Sequence, residues 1–481
     1  MPLPFANRTA LPAVGPDLRA LLRLAGPILV VQLAQMGIAT TDVLISGRAG
    51  ATALAGVAVG ASSWIPLFLC TLGILYALTP TVAQQVGGGR SSRTGAATRA
   101  AAILGLVLSG AIVVLLTHAH RLFSAMGIDP EVQPVAAEYL HLLAQGVPGM
   151  VGFQILRNFH EGHGRTRPVL AISVLAFLLN IPLDLLFVFG WGPIPGLGGP
   201  GCGLATAVIW WSNFALMLAI SCADRATRRS WGVRWRVWPR TELRELVRIG
   251  MPMGAAMAFE SGLFSAVSLF IATLGATAVA AHQVAFNITA FLFMVPLSLS
   301  LALTVRTGQL LGARQAQRAR ALVRSALALA GALVAVNAAL LLGTRHELVT
   351  WYTGDLAVQH TAARLLVFAA LFQAGDVFQV VLTGALRAHK DTRVPMWLAM
   401  LSCWGIALPL GYLLGMTPLL GGPFGAQGFW MGLIVALSLM ALSFALRLRH
   451  VSTRQPVAAE PPKQGGELGA APLRAVHSSG E

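Results

Sequence analysis

Of the eighteen acidic residues in this 481-residue chain, four stand inside long apolar runs: Asp42, Asp184, Glu260 and Asp376. A carboxylate at the centre of a hydrocarbon layer costs about 2.5–3.5 kcal/mol on insertion scales, so such a residue is read first as functional. Depth follows from the nearest basic residue and the helical rise. Glu260 lies twelve residues from Arg248 and Asp376 eleven from Arg387, ~18 and ~16 Å, which puts both near a midplane. Asp42 lies nineteen residues beyond Arg23 and Asp184 seventeen beyond Arg167, ~28 and ~26 Å, in an outer third. Each half of the chain therefore carries one carboxylate pair at a matched depth. In LLNIPLDLLF, Asn180 and Asp184 are four apart and share a helix face, with Pro182 between them to bend the helix and free a carbonyl. Gln35 and Asp42, seven apart, also share a face. Carboxylates in one pocket cannot all be ionised at little cost, so the chemistry on offer is proton uptake or the binding of a monovalent cation, with Na⁺ at Glu260 and Asp376 as one form of it. Interhelical hydrogen bonding by buried polar groups is the competing use.

Basic residues are absent from the span centres, Arg306 falling near one end and Arg48 near the other surface. A cavity with acids and no bases favours a cationic or proton cargo. His282, in AAHQVAFN, is a lone intramembrane histidine and reads as a hydrogen-bonded packing residue. The Phe- and Met-rich stretch FNITAFLFMVP (286–296) reads as packing, although such side chains also line adaptable pockets. Gln35, Phe264, Gln283, Asn287 and Met294 are the candidate cavity-lining residues.

The elements that must position these groups are membrane-spanning helices. The chain is 56% hydrophobic and only 11% charged, against about 25% charged in a soluble domain. Its mean hydropathy is +0.71. Twelve apolar windows are long enough to cross a ~30 Å core: 21–46, 52–85, 98–117, 134–159, 168–191, 200–222, 247–273, 279–310, 322–343, 359–386, 394–416 and 424–446. The opening MPLPFANRTALPAVGPDLR is polar and Pro-broken, so no cleavable leader is expected. The four cysteines are scattered and predict neither disulfides nor a metal site.

The net charge of +16 has a topological reading. Arg and Lys cluster in alternate connections, thirty of thirty-four on one side, which places both termini in the cytoplasm by the positive-inside rule. The segment WGVRWRVWPR (231–240) interleaves Trp with Arg as some nucleic-acid surfaces do, but reads as an interfacial linker at headgroup level, so no nucleic-acid partner is expected.

The phrase GATALA at 50–55 returns as GATAVA at 275–280. At the same offset of 225, Pro27 meets Pro252, Gly37 meets Gly262, Gln84 meets Gln309 and Gly87 meets Gly312. HGRTRP (163–168) meets HKDTRVP (389–395) with the offset one larger. Two homologous halves of six spans each enter the membrane from the same side, so the repeat is parallel, with its axis along the membrane normal. The expected protein is an all-α polytopic membrane protein, twelve transmembrane helices in two six-helix lobes. Its divisions are a cytoplasmic N-terminus (1–20), an N-lobe (21–222), a basic cytoplasmic linker (223–246), a C-lobe (247–447) and a disordered cytoplasmic tail (448–481).

Over residues 20–447 the chain resembles the multidrug and toxic compound extrusion (MATE) family, NorM-like branch. The resemblance rests on an ordered series: TTDVLISG, WIPLF, VAQQVGGGR, RNFHEGHGRTRP, LLNIPLDLLFVFG, GCGLATAV, GMPMGAAMAFESGLF, AAHQVAFN and FQAGDVFQVVLTGALRAHKD. It implies export of lipophilic cations in exchange for Na⁺ or H⁺ by a monomer in the inner membrane, with no cofactor. It implies that Glu260 and Asp376 match the coupling acids of the C-lobe and that Asp42 and Asn180 match an N-lobe polar site. Asp184 matches a position that is Asp or Asn in such proteins. A tyrosine often found four residues before the C-lobe aspartate is Phe372 here. The rivals are a flippase of lipid-linked precursors, whose pyrophosphate would want Arg or Lys in the central cavity, a channel, and an intramembrane enzyme, for which no HExxH motif or nucleophile–base pair is present.

Overall fold

The structure, a computed structural model, describes residues 14–125, 129–231, 239–419 and 423–454. In hydrocarbon a backbone can satisfy its own hydrogen bonds only as a helix or a closed barrel, and the Ala- and Leu-rich runs here form helices. The first half comprises α1 (Val14–Arg48), α2 (Ala51–Leu75), α3 (Leu78–Gly87), α4 (Thr94–Thr117), the short α5 (Ala119–Ala125), α6 (Val132–Gly162), α7 (Arg167–Phe189), α8 (Pro200–Ala223) and the short α9 (Arg225–Trp231). α2 and α3 make one interrupted pass. A two-residue ribbon, β1 (Gly190–Trp191) antiparallel to β2 (Ile194–Pro195), links α7 to α8. The second half comprises α10 (Arg240–Ala272), α11 (Ala276–Gly312), α12 (Ala316–Thr350) and α13 (Leu356–Ala388). It ends with α14 (Arg393–Met400), α15 (Leu408–Met416) and α16 (Ala426–Arg454). A π-helical segment, Leu401–Ala407, joins α14 to α15 in one pass.

Among the described residues eleven helices are long and apolar enough to cross a membrane. The remaining predicted span, 134–159, is α6, which at 31 residues has the length but is more polar. Its Gln154, Arg157, Asn158, His160 and Glu161 are each at most 3% exposed. These side chains point into the lobe, where α2, α4 and α8 pack around α6, and not toward lipid.

Several helices outrun the boundaries drawn from hydropathy. α1 starts at Val14, inside the segment assigned as a polar N-terminus. α10 starts at Arg240 and α9 also lies within the 223–246 linker, while α16 runs to Arg454, so 448–454 is helix and not disordered tail. Hydropathy falls where the arginines begin, but backbone hydrogen bonding continues through interfacial turns whose charged side chains reach water. Residues 1–13, the 232–238 part of WGVRWRVWPR, and 455–481 lie outside the described residues.

The halves are related by an axis that can be located residue by residue. Neighbour pairs occur twice: α6 on α8 and α13 on α16; α4 on α6 and α12 on α13; α2 on α10 and α1 on α11. A Cβ on Gly87 would lie 1.9 Å from the Gln309 carbonyl oxygen, and a Cβ on its repeat mate Gly312 would lie 2.1 Å from the carbonyl oxygen of Gln84, the mate of Gln309. Ala83 touches the position a Cβ would take on its own mate, Gly308, at 3.0 Å. A residue can touch its mate only on the symmetry axis, so the axis passes between α3 and α11. The left-handed backbone of Gly89 and Gly164 (φ 68 and 76) recurs at their mates, Arg314 and Lys390 (φ 60 and 59), although only the N-half supplies glycine.

Candidate functional site

The lobes close on each other at the arginine-rich end. Gln84 Nε2 donates to the Ala388 carbonyl at 2.7 Å, and its mate Gln309 donates to the carbonyl of Gly162, the mate of Ala388, at 3.3 Å. Gly73 meets Gly254 backbone to backbone, its Cβ position lying 2.6 Å from the Gly254 Cα. Asp17, 3% exposed by side chain, accepts from Arg306 Nη2 at 2.5 Å and from Arg318 Nε and Nη2 at 3.0 and 3.1 Å. The Arg387 guanidinium of α13 lies 5.9 Å over the Tyr76 ring of the opposite lobe. Small residues let backbones approach in the absence of a hydrophobic drive between helices, and the polar pairs then lock the contact.

Both carboxylate pairs lie beyond this closure. In the N-lobe, α1 presents Asp42, α7 presents Asn180 and Asp184, and α8 presents Thr206. Asn180 Nδ2 donates to one Asp42 oxygen at 3.1 Å and Thr206 Oγ1 to the other at 3.4 Å. Asp184 and Asn180 are fully buried, and neither oxygen of Asp184 has a donor among the described residues. A buried carboxyl with no donor is costly unless a proton or a cation neutralises it. The i, i+4 spacing on α7 puts Asp184 on the same helix face as Asn180, the donor to Asp42. Pro182 sits within the continuous α7, where it lacks the N–H that would bond the Leu178 carbonyl.

In the C-lobe, α10 carries Glu260 and α13 carries Asp376. Gln379, one turn beyond Asp376, donates to Glu260 Oε1 at 3.0 Å. Gln373, one turn before, accepts from Asn337 at 3.2 Å and so ties α12 to the same helix face. The π-helical segment lies against the turn that carries Glu260: Trp404 Nε1 donates to the Phe259 carbonyl at 3.2 Å. Such segments concentrate at functional sites. Gln379 and Trp404 were missed by the sequence reading; the i+3 spacing of Gln379 from Asp376 was its available signal.

The two pairs are not repeat mates. At the offset of 225 Glu260 falls on Gln35, and at 226 Asp376 falls on Met150. Gln35 and Met150 line a small N-lobe cavity of about 60 Å³ together with Gln154, Thr206 and Asn213. The N-lobe thus holds a neutral counterpart of the C-lobe acid site, and its own acids stand elsewhere, in contact through Thr206.

Of the other predicted cavity residues, Phe264 packs against Phe286 and Phe372, at ring-centroid distances of 5.4 and 6.3 Å. Phe372 in turn meets Trp430 at 5.6 Å, so the ring that replaces the tyrosine is part of an aromatic cluster. His282 belongs to the same cluster and bonds Ser268 at 3.0 Å through Nε2, in a packing role. Met294 is half-buried; Gln283 and Asn287 are exposed on α11, and Asn287 donates to the Gln283 carbonyl at 2.9 Å. Neither amide is hydrogen-bonded to the carboxylates among the described residues.

The closed end holds a buried base, near the end of α6 and away from the span centres. Arg157, 1% exposed, bonds Glu161 at 2.7 Å and Gln32 at 2.8 Å. Arg157 stands near a loop in the sequence, but its bonds to Glu161 and to Gln32 of α1 hold it inside.

Comparisons with known proteins agree with this architecture. The MatE family model matches twice, at residues 27–186 and 252–413, the same two halves. The chain is 40% identical over 443 residues to the multidrug resistance protein PmpM of Pseudomonas aeruginosa, covering 91% of this chain and 92% of that one. It is 37% identical over 449 residues to the multidrug resistance protein MdtK of Yersinia pseudotuberculosis, covering 92% and 97%. Its fold is similar to that of the eukaryotic MATE transporter AtDTX14, with a TM-score of 0.80 at 20% identity over 92% of this chain and all of that one. A multidrug resistance MATE family transporter of the MOP superfamily in its outward-facing conformation gives 0.83 at 19% identity, over 91% and 97%. With both halves matched in register and close relatives aligned along nearly their whole length, this chain belongs to the MatE family of membrane transporters.

Proposed function

We propose that the protein is a secondary antiporter that exports lipophilic cations in exchange for inward Na⁺ or H⁺. In this reading both termini face the cytoplasm, the inner membrane holds a single copy, and the closed end seen here is the cytoplasmic one. The observation that carries the reading is the shortage of donors around four buried or half-buried carboxyls. Among the described residues their eight oxygens receive hydrogen bonds only from Asn180, Thr206 and Gln379. Such a set is stable when partly protonated or when a monovalent cation supplies the missing charge. Glu260, Asp376, Asp42, Asp184 and Asn180 are the residues assigned to coupling. Gln35 borders them, and Phe264, Met294, Gln283 and Asn287 face the cargo on α10 and α11. An antiporter needs cargo and ion to bias one two-state element in opposite directions. Neutralising a carboxyl pair weakens its attraction for a cationic drug, which does this directly. The names of the relatives support the cargo class.

The test is efflux of a cationic dye from proteoliposomes under a Na⁺ gradient alone and under a pH gradient alone. One gradient should drive export, and Asp42→Asn should impair it without loss of the folded protein. Export driven by neither gradient, or full transport by Asp42→Asn at every pH, would overturn the coupling assignment.

A further inference from the structure

The arginine-rich end of the bundle carries a cleft that the transport reading does not use. It has a volume of about 650 Å³ and is lined by Arg240, Leu243, Arg244, Val247, Arg248 and Arg393. The first, third and fifth of these are spaced four apart along α10, so three guanidiniums stand on one helix face, and Arg393 opens α14 beside it. All four arginines are exposed, and among the described residues none is ion-paired. Of the nearby acids, Glu245 is engaged by Lys390 at 2.6 Å and Asp391 by Arg447 at 2.6 Å, and Glu242, two residues from Arg240 and Arg244, falls off their helix face. Leu243 and Val247 give the same cleft an apolar wall. From the cleft the two helices continue into an apolar strip: Met251 is 52% exposed, and Trp397 and Leu401, one and two turns past Arg393, are 59% and 58% exposed.

We propose that this cleft is a binding site for an anionic phospholipid, with the headgroup phosphate held by the α10 arginines and Arg393 and an acyl chain laid along Met251, Trp397 and Leu401. Guanidinium forks match phosphate oxygens in pairs, and a basic pocket between transmembrane helices at the membrane surface has the chemistry to take such headgroups. The apolar strip decides the source of the phosphate. A soluble phosphate would use the arginines alone, whereas a lipid uses arginines and strip together. Trp397 suits the headgroup level, where an indole can be half in hydrocarbon. The assignment of this end to the cytoplasmic leaflet rests on the proposed orientation; the lipid chemistry does not.

The experiment uses the full-length protein in detergent, titrated with phosphatidylglycerol and, separately, with phosphatidylcholine and inorganic phosphate, and read by native mass spectrometry. Wild type should retain phosphatidylglycerol over phosphatidylcholine. The double variant Arg244→Gln/Arg393→Gln should bind it about 10- to 30-fold more weakly, at ~1 kcal/mol for each arginine near an anionic lipid. Arg90→Gln/Arg93→Gln removes the same charge from another exposed part of this end and should bind as wild type does. Trp397→Ala should weaken the lipid while leaving the charge unchanged. Equal retention by wild type and the Arg244/Arg393 variant would overturn the site. Loss in both double variants alike would reduce it to general surface charge, and displacement of the lipid by millimolar phosphate would overturn the lipid assignment. Elution volume and thermal midpoint verify that each variant is folded, and dye export is scored separately, so failure here leaves the transport reading untouched.

Discussion

Asp17 holds α1 of one lobe to α11 and α12 of the other through three hydrogen bonds from two arginines, so Asp17→Asn is expected to loosen the closed end. Charge-assisted bonds are worth about 1.5–3 kcal/mol each when buried. The carboxylate is buried, but the Arg306 and Arg318 side chains are 26% and 37% exposed, and water competes for them. Asparagine also keeps one acceptor. A net loss of about 1–2 kcal/mol remains, which raises the population open at this end roughly 5- to 30-fold. The reporter is Ala83→Cys, placed at a fully buried position on the axis opposite Gly308, with Cys70 and Cys222 replaced by alanine. Its alkylation rate should rise by that factor in Asp17→Asn. Arg165→Gln, which removes an exposed pair with Asp224 inside the N-lobe, should leave it unchanged. An unaltered rate in Asp17→Asn, or an equal rise in Arg165→Gln, would refute the assignment of Asp17 as a latch between lobes.

Glu260→Gln and Asp376→Asn should each abolish ion-driven dye export at near-normal expression, because the amides keep shape but cannot carry the change of charge; wild-type rates in proteoliposomes would defeat the coupling role. Gly87→Ala should block closure, since its Cβ would sit 1.9 Å from the Gln309 oxygen, and should leave the Ala83→Cys reporter reactive while transport is lost. Arg314→Gly should raise the thermal midpoint by the equivalent of up to ~1 kcal/mol, since φ 60 suits glycine and its mate Gly89 already has it; an unchanged or lower midpoint counts against this. Cysteines replacing Trp191 and Trp351, 82% and 80% exposed, should label from outside intact cells and one replacing Arg93 only after permeabilisation, the reverse pattern sinking the proposed orientation.

The sequence by itself determined the class, the number of passes and the repeat, because hydrocarbon solvent imposes length and polarity rules that need no tertiary knowledge. It also located the four carboxylates, whose cost in a membrane is visible one residue at a time, and the pairing of Asn180 with Asp184, which is helical geometry. It placed α6 as a span but could not show what its polar side chains face, which is the packing of α2, α4 and α8 around them. Nor could it see Asp17, assigned to a polar terminus, as a contact with the opposite lobe, or Arg157 as an interior group. Those facts depend on which helices pack together, and packing between lobes joins residues about 300 positions apart, as Asp17 and Arg318 show. The neutral counterpart of the acid site followed the same rule: Gln35 was a candidate in the sequence and Met150 was not, and only the fold brings the two to one N-lobe cavity.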